Sequence, residues 1–195
     1  GSEMCIRDRC TPNQASISGS GFIIGRSDTG SWGMTAAHVC KKPTANPPIR
    51  MLKNELSVVT VNGNVAIAIP AVVHAPTDIC ILHLPDTRLP SIPLSRTPPR
   101  VGDRAYSVAA PVGLFNKGMV PIFEGIYSGI IPAGKMLGIP LDAYTIPTKG
   151  GSSGAPIVNE DGKLIGMSIM ARVGFENFVI SVPHKLLYKI IRDIR

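Results

Sequence analysis

Short apolar runs bounded by glycine, proline or polar residues recur along the chain. In the first half, Ser18–Gly25 and Asp78–Leu84 have this form, and each predicts a strand. Leu56–Val61 and Asn64–Val73 are rich in β-branched residues and flank Asn62-Gly63. Because this dipeptide tolerates positive φ at both positions, it predicts a β-hairpin with a type I′ turn.

The second half repeats this pattern after a proline-rich connection at Pro85–Arg100, and Asn159–Gly162 is a further hairpin-turn signal. About six strands are expected in each half, which predicts an all-β fold of two antiparallel six-stranded β-barrels. The strand-like runs of the second half are Arg104–Ala109, Val120–Ile131, Ala143–Ile146, Ala155–Val158, Lys163–Met170 and Phe178–Val182.

One segment, Pro183–Ile194, has the spacing of an amphipathic α-helix, and proline suits the first turn of a helix. Packing of its apolar face on the barrels, with its basic face in water, explains the pattern without a membrane role. The apolar positions are Leu186, Leu187, Ile190, Ile191 and Ile194, and the basic ones are Lys185, Lys189 and Arg192.

The chain is therefore divided into four parts. Gly1-Ser2 is typical of the scar left by cleavage of an expression tag. The EMCIRDR that follows has no pattern of a helix or a strand, so no regular element is expected at this end. The predicted parts are an irregular segment at 1–12, a first barrel at 13–90, a second barrel at 91–182 and a C-terminal helix at 183–195.

Composition supports a folded domain rich in turns. Of 195 residues, 44% are hydrophobic, 20 are glycine and 18 are proline. The net charge is +7, but aromatics make up only 5% and do not interleave with Lys and Arg, so no specific nucleic-acid partner is expected. No apolar run reaches membrane-spanning length and no signal peptide is visible. No membrane span is expected, and the localisation and oligomeric state stay open.

The sharpest chemical signal is the string GGSSGAP at 150–156. A nucleophilic serine must project from a tight turn whose backbone N–H groups converge on the carbonyl oxygen under attack, and glycines permit such a turn. Ser153 is the candidate nucleophile, and the N–H groups of Gly151 and Ser153 are candidates for the oxyanion hole. A flexible Gly/Ser loop gives the same kind of string, so this signal alone does not decide.

Two further signals lie in the first half. Trp32–Val39 predicts a strand that runs into a short helical turn, with a proline-rich loop at Lys41–Pro48. His38 follows small residues in TAAHV, where an imidazole has room to act as the base that a serine needs. Asp78 opens the apolar run DICIL, where its carboxylate needs solvent or a polar partner. A satisfied core histidine and a turn-capping aspartate are the alternatives.

Taken together in the order His, Asp, Ser, these strings resemble the three catalytic blocks of trypsin-like serine proteases, whose template they match. SGSGFII, DICILHLP and LDAYTIPTKGGSSGAPIVNEDGKLIGM are similar to the HtrA/Deg branch in particular. The resemblance implies a double barrel with His38, Asp78 and Ser153 in the cleft. It implies a protease domain alone, without the PDZ module common in that branch.

The resemblance further implies a serine endopeptidase that hydrolyses peptide bonds through an acyl-enzyme. The partner is a protein or peptide substrate, and no cofactor or metal is required. Polyprotein processing in a virus or phage and a catalytically silent binding module of the same fold are the alternatives. The implied substrate-binding residues are Pro147, Thr148, Lys149, Gly150, Ile169, Met170 and Ala171. They include no acidic residue, so an apolar side chain before the cleaved bond is expected; Lys149 and Arg172 would instead favour an acidic one.

Four cysteines are present, Cys5, Cys10, Cys40 and Cys80, and their spacing does not indicate a zinc site. Cys40 and Cys80 each follow a candidate catalytic residue by two positions. They are compatible with buried free thiols or with a disulfide, and free thiols are the favoured interpretation.

Overall fold

A computed structural model describes residues 3–7, 18–40, 56–133, 137–172 and 174–195. The loop predicted at Lys41–Pro48 lies outside these ranges. Twelve strands form two closed six-stranded antiparallel barrels, and a helix follows them, which confirms the predicted all-β double barrel.

The first barrel has the strand order β1-β2-β3-β6-β5-β4, and a four-residue helix, α1 (Ala37–Cys40), follows its third strand. Its strands are β1 (Glu3–Arg7), β2 (Ser18–Ser27), β3 (Gly30–Ala36), β4 (Leu56–Thr60), β5 (Val65–His74) and β6 (Ile79–Pro85). A 3₁₀ turn at Ala75–Thr77 precedes β6. The strand β1 comes from the segment that the sequence pattern left without a structure, and it closes the barrel by pairing with β2 and β4.

The second barrel has the order β10-β11-β12-β9-β8-β7. Its strands are β7 (Arg104–Val108), β8 (Ile122–Ile131), β9 (Leu141–Tyr144), β10 (Pro156–Val158), β11 (Leu164–Arg172) and β12 (Phe175–Ser181). A 3₁₀ turn at Pro111–Gly113 follows β7. The two barrels therefore have the same strand count, and the proline-rich connection joins them.

The predicted type I′ turn between β4 and β5 is wrong in its detail. The Gly63 N–H donates to the Thr60 carbonyl at 2.8 Å, and the Thr60 N–H donates to the Asn64 carbonyl at 2.9 Å. Gly63 has a φ of 81°, whereas Asn62 is not among the described residues with positive φ. This is the three-residue loop in which a left-handed glycine follows a turn, and the hairpin itself is confirmed.

An apolar core continues from one barrel to the other. It joins first-barrel side chains such as Phe22 and Leu82 to Met167 of the second barrel and to Leu187 and Ile191 of the helix. A second cluster, around Tyr144 and Ile157, fills the second barrel. The two barrels and the helix consequently share one packed apolar core.

The final helix, α2 (His184–Ile194), packs with the predicted apolar face inward and its basic face exposed. Its N-cap, Pro183, offers no side-chain cap. Instead the Asp142 carboxylate accepts the His184 N–H at 2.8 Å and the Tyr127 hydroxyl at 3.0 Å. Burial raises the pKa of Asp142, and these two hydrogen bonds offset only part of that effect. Among the described residues, no helix has the length and apolar character needed to cross a membrane.

Candidate active site

Asp78 and His38 form a short, two-point contact at the edge of the first barrel. The Nδ1 atom of His38 lies 2.7 Å from Oδ2 of Asp78, and the backbone N–H of His38 donates to Oδ1 at 2.9 Å. A carboxylate only accepts, so Nδ1 carries a proton, and in the neutral imidazole Nε2 is then the nitrogen that keeps its lone pair. That is the tautomer a general base requires.

Local backbone geometry explains this contact. Asp78 lies just before β6, in the left-handed conformation with φ 54° and ψ 39°, which aspartate tolerates better than most residues. Its carbonyl accepts the Ala37 N–H at 2.9 Å, so backbone and carboxylate together hold the first turn of α1. The sequence pattern made Asp78 the first residue of the strand; it lies in the turn directly before the strand, which begins at Ile79.

Cys40 and Cys80 form a disulfide, with Cα atoms 6.5 Å apart, so the favoured interpretation as free thiols is wrong. Cys40 ends α1 and Cys80 lies in β6. His38 of α1 contacts Asp78 in the turn directly before β6. The residues two positions after each of them, Cys40 and Cys80, are therefore also close enough to be joined. The disulfide links the segment that carries the imidazole to the segment that carries the carboxylate.

The loop around Ser153 is anchored in both barrels. The carbonyl of Ser153 accepts the Ser20 N–H of β2 at 2.8 Å, which ties the loop to the first barrel. The Gly154 N–H donates to the Ser168 carbonyl of β11 at 2.6 Å, which ties it to the second. The loop thus lies across the boundary between the barrels.

Glycines let this loop approach the histidine segment closely. A Cβ on Gly154 would overlap Thr35 Oγ1 and the Ser20 carbonyl, and it would lie 2.9 Å from the Ala36 nitrogen. A Cβ on Gly19 would lie 2.7 Å from both γ-carbons of Val39 and 3.2 Å from the Ser153 carbonyl oxygen. Gly19 therefore fills the space between the residue after His38 and the backbone of Ser153, so the two segments converge there.

The two N–H groups predicted for an oxyanion hole are available. Within the described part of the chain, the backbone nitrogens of Gly151 and Ser153 donate to no acceptor. The Gly150 carbonyl accepts the Val112 N–H at 2.6 Å. The carbonyl and N–H of a trans peptide point in opposite directions, so this bond turns the Gly151 N–H away from the Pro111–Gly113 turn.

Ser153 is partly buried, and its hydroxyl makes no hydrogen bond to any residue in the described ranges. A serine hydroxyl and its base are often poorly aligned without substrate and draw together when substrate binds. The structure thus brings the histidine and aspartate into direct contact and places the serine segment beside them.

The residues predicted to bind substrate fall on two segments. Pro147, Thr148, Lys149 and Gly150 precede the serine loop, and Ile169, Met170 and Ala171 lie on β11. Thr148 and Ile169 are buried, Met170 is half-buried, and the others are exposed. Their role in recognition stays a prediction.

Sequence reasoning missed Ser20. It occurs in SGSGFII, which was interpreted only as the entry to a strand. In the structure its hydroxyl donates to the Gly151 carbonyl at 2.8 Å and accepts the Ala110 N–H at 3.0 Å. Nothing local to the string signals these contacts, because both partners lie in the other barrel.

Comparison with known proteins agrees with this geometry. A family model described as the trypsin-like peptidase domain matches residues 19–167, which is most of the chain. The chain belongs to the trypsin-like peptidase family. No match to a curated protein was found.

Solved structures show the same fold as this trypsin-like peptidase chain. The serine endoprotease from Yersinia pestis superposes with a TM-score of 0.73 at 24% identity, and the match covers 100% of this chain but 64% of that one. The active form of the Rv3671c protease from M. tuberculosis also gives a TM-score of 0.73, at 19% identity, over 96% of this chain and 78% of that one. At these identities the likeness shows the fold, and this chain spans less than two thirds of the Yersinia protein.

Proposed function

We propose that this chain is a serine endopeptidase in which Ser153 attacks the peptide carbonyl, His38 takes the serine proton and Asp78 orients the histidine. The observation that carries the proposal is the 2.7 Å contact between His38 Nδ1 and Asp78 Oδ2, with the Ser153 loop packed beside the same segment. Membership of the trypsin-like peptidase family supports the same reaction class.

The contact geometry supports a definite order of proton movements. Asp78 fixes the Nδ1–H tautomer, so Nε2 of His38 accepts the Ser153 proton as the oxygen bonds to the carbonyl carbon. The resulting imidazolium is stabilised by the carboxylate. It then returns the proton to the departing amine as the carbon–nitrogen bond breaks, which leaves an acyl-enzyme. Water, deprotonated by the same Nε2, hydrolyses that ester and restores Ser153.

Charge that develops on the carbonyl oxygen needs donors placed in advance. The N–H groups of Gly151 and Ser153 are suited to this role because neither donates to a described acceptor. Fixed donors of this type contribute more to the transition state than to the substrate, since they meet full negative charge only there.

The substrate is proposed to carry an apolar side chain before the cleaved bond. The buried side chain of Ile169 and the half-buried Met170 lie on β11, the strand that also anchors Gly154. Thr148, in the segment that precedes the serine loop, is also buried. A peptide library varied at the residue before the cleaved bond tests this preference. Preferred cleavage after an acidic residue, directed by Lys149, would contradict the proposed apolar preference.

The test of the reaction class is labelling by a fluorophosphonate probe. The wild-type chain should be labelled at Ser153 and should cleave unstructured protein substrates, while Ser153→Ala should show neither property. Ser95→Ala is a suitable control, because the Ser95 hydroxyl donates to the Thr97 carbonyl in the connection between the barrels. Absence of wild-type labelling, or equal labelling after Ser153→Ala, would favour a silent binding module.

A further inference from the structure

Ser20 is the polar residue that connects the first barrel to the loop bearing Ser153. It lies on β2 and is 2% exposed. Its N–H donates to the Ser153 carbonyl at 2.8 Å, and its own carbonyl accepts the Thr35 hydroxyl at 2.7 Å. Both backbone groups are therefore already committed to the site, and the hydroxyl is the additional link.

The Ser20 hydroxyl makes one hydrogen bond in each direction. It donates to the Gly151 carbonyl at 2.8 Å and accepts the Ala110 N–H at 3.0 Å, and both bonds are buried. A serine hydroxyl has one proton to donate, so the bond to Gly151 uses it fully. The backbone of Ser20 cannot replace it, because the Ser20 N–H and carbonyl already have partners.

These bonds act on the residue whose N–H is proposed to hold the oxyanion. Gly151 has a φ of 97°, and a Cβ there would lie 2.6 Å from the Ala110 carbonyl oxygen. The peptide before Gly151 is held at the Gly150 carbonyl by Val112, and the peptide after it is held at the Gly151 carbonyl by Ser20. Both peptide planes that flank Gly151 are thus fixed through their carbonyls, which sets the direction of its N–H.

We propose that Ser20 is a positioning residue for the reaction. Its hydroxyl bridges the Gly151 carbonyl and the Ala110 N–H, and by fixing that carbonyl it keeps the Gly151 N–H aimed at the oxyanion. The inference rests on the proposed function. Loss of this hydroxyl leaves two buried backbone groups without their partner, and the glycine is then free to rotate its N–H away from the oxyanion. The affected step is transition-state stabilisation, whereas ground-state binding of the peptide is unaffected.

The test compares Ser20→Ala with Ser31→Ala. Ser31 is a matched control, since it is fully buried in the same barrel and its hydroxyl donates to the Thr87 carbonyl at 3.1 Å and accepts the Leu89 N–H at 3.0 Å. It lies at the far end of β3 from His38. Each variant loses a buried serine hydroxyl that donates to one carbonyl and accepts one N–H. Of the two, the Ser20 hydroxyl contacts the loop that bears Ser153.

For Ser20→Ala, kcat should fall by about 10- to 100-fold, which is less than the loss of about 10²–10³ seen when an oxyanion donor is removed outright. KM for a peptide substrate should stay within about threefold, the signature of an interaction made in the transition state. The inhibition constant of a peptidyl boronate should rise in parallel with the fall in kcat, while that of the unreactive peptide amide should not. Ser31→Ala should retain wild-type kcat.

Equal kcat in Ser20→Ala and Ser31→Ala, with an active wild type labelled at Ser153, would overturn the Ser20 proposal alone. An unlabelled wild type would overturn the proposed function and this inference with it. A crystal structure of the wild type with the boronate bound decides the question without any variant, even if Ser20→Ala does not fold. The expected result is a Ser20 to Gly151 bond kept while the boronate oxygen accepts the Gly151 N–H; a Gly151 carbonyl turned away from Ser20 in that complex would contradict it.

Discussion

Two aspartates among the described residues each accept the backbone N–H of a histidine at the start of a helix, but the two carboxylates differ in their second contact. Asp78 accepts the backbone N–H of His38 at 2.9 Å, and Asp142 accepts that of His184 at 2.8 Å. The second oxygen of Asp78 reaches the imidazole of His38. The second oxygen of Asp142 takes the Tyr127 hydroxyl instead.

Exposure separates the pairs further. The His38 side chain is 47% exposed, whereas His184 is 4% exposed and its Nε2 lies 3.0 Å from the Ser95 carbonyl. That carbonyl requires a proton on Nε2, and within the described residues Nδ1 of His184 has no hydrogen-bond partner. An aspartate beside a histidine is therefore not in itself a catalytic pair. In the proposed reaction the carboxylate must hold Nδ1 while Nε2 accepts the serine proton, and among the described histidines only His38 has its Nδ1 in contact with a carboxylate.

The substitution Asp78→Asn replaces the carboxylate that contacts the His38 imidazole, and it has the largest expected effect. We expect kcat to fall on the order of 10⁴-fold, the size of loss known for the equivalent substitution in trypsin-like proteases, because the amide no longer selects the Nδ1–H tautomer. Initial rates on a peptide substrate measure the change. Asp142→Asn is the matched control and should retain wild-type kcat, since that carboxylate contacts no imidazole nitrogen.

A comparable loss of activity in both variants would contradict the distinction between the two pairs. Thermal unfolding of each variant shows whether a loss of rate reflects a loss of folded protein.

Sequence alone singled out His38, Asp78 and Ser153 as candidates because each lies in a short string whose local turn suits the proposed chemistry; the structure pairs His38 with Asp78, and the catalytic roles of all three stay a proposal. Sequence also identified the helix for a similar reason, since the spacing of Leu187 and Ile191 is a local property. The strand Glu3–Arg7 was missed because its own residues do not alternate in an informative way, and neighbouring strands determine its pairing. Strand formation here depends on partners that are distant in sequence.

The disulfide and Ser20 escaped prediction for a related reason. Cys40 and Cys80 are 40 positions apart, and they are brought together by the pairing of β3 with β6 and by the contact of His38 with Asp78. The Ser20 hydroxyl meets a carbonyl 131 positions away. The disulfide depends on how strands pair within the first barrel, and the Ser20 bond depends on how the two barrels pack against each other; no local pattern encodes either arrangement.

The disulfide is a second difference between the two pairs, because Cys40 and Cys80 cross-link the segments that carry His38 and Asp78, whereas Asp142 and His184 are held by burial. We expect Cys40→Ala/Cys80→Ala to lose about 2–4 kcal/mol of unfolding free energy, through the greater freedom of its unfolded chain. Urea denaturation with and without reductant measures this. Reductant should lower the stability of the wild type and leave the double variant unchanged; a wild type insensitive to reductant would show that the cross-link contributes nothing.

The smallest expected effect concerns the buried pair and appears only as a pH dependence. Desolvation raises the pKa of Asp142 in the folded state above its ordinary value of 3.8. The folded chain therefore holds this proton at pH values where the unfolded chain has released it. The corresponding stability is fully present below the unfolded pKa and is lost as pH rises through the folded one.

Asp142→Asn removes this titration while keeping an oxygen that accepts the His184 N–H, so its stability at neutral pH should stay within about 1 kcal/mol of the wild type. As pH falls from neutral towards 4, the wild type should gain stability relative to the variant. Taking the difference between the chains removes most of the contribution of the groups they share, and Tyr127, whose pKa burial and Asp142 raise to about 12, does not titrate in this range. Urea midpoints measured across that range test the sign. If the wild type instead became less stable relative to the variant on acidification, the hydrogen bonds from His184 and Tyr127 would outweigh the effect of burial on the pKa of Asp142. Asp142 would then resemble Asp78 more closely than their surroundings indicate.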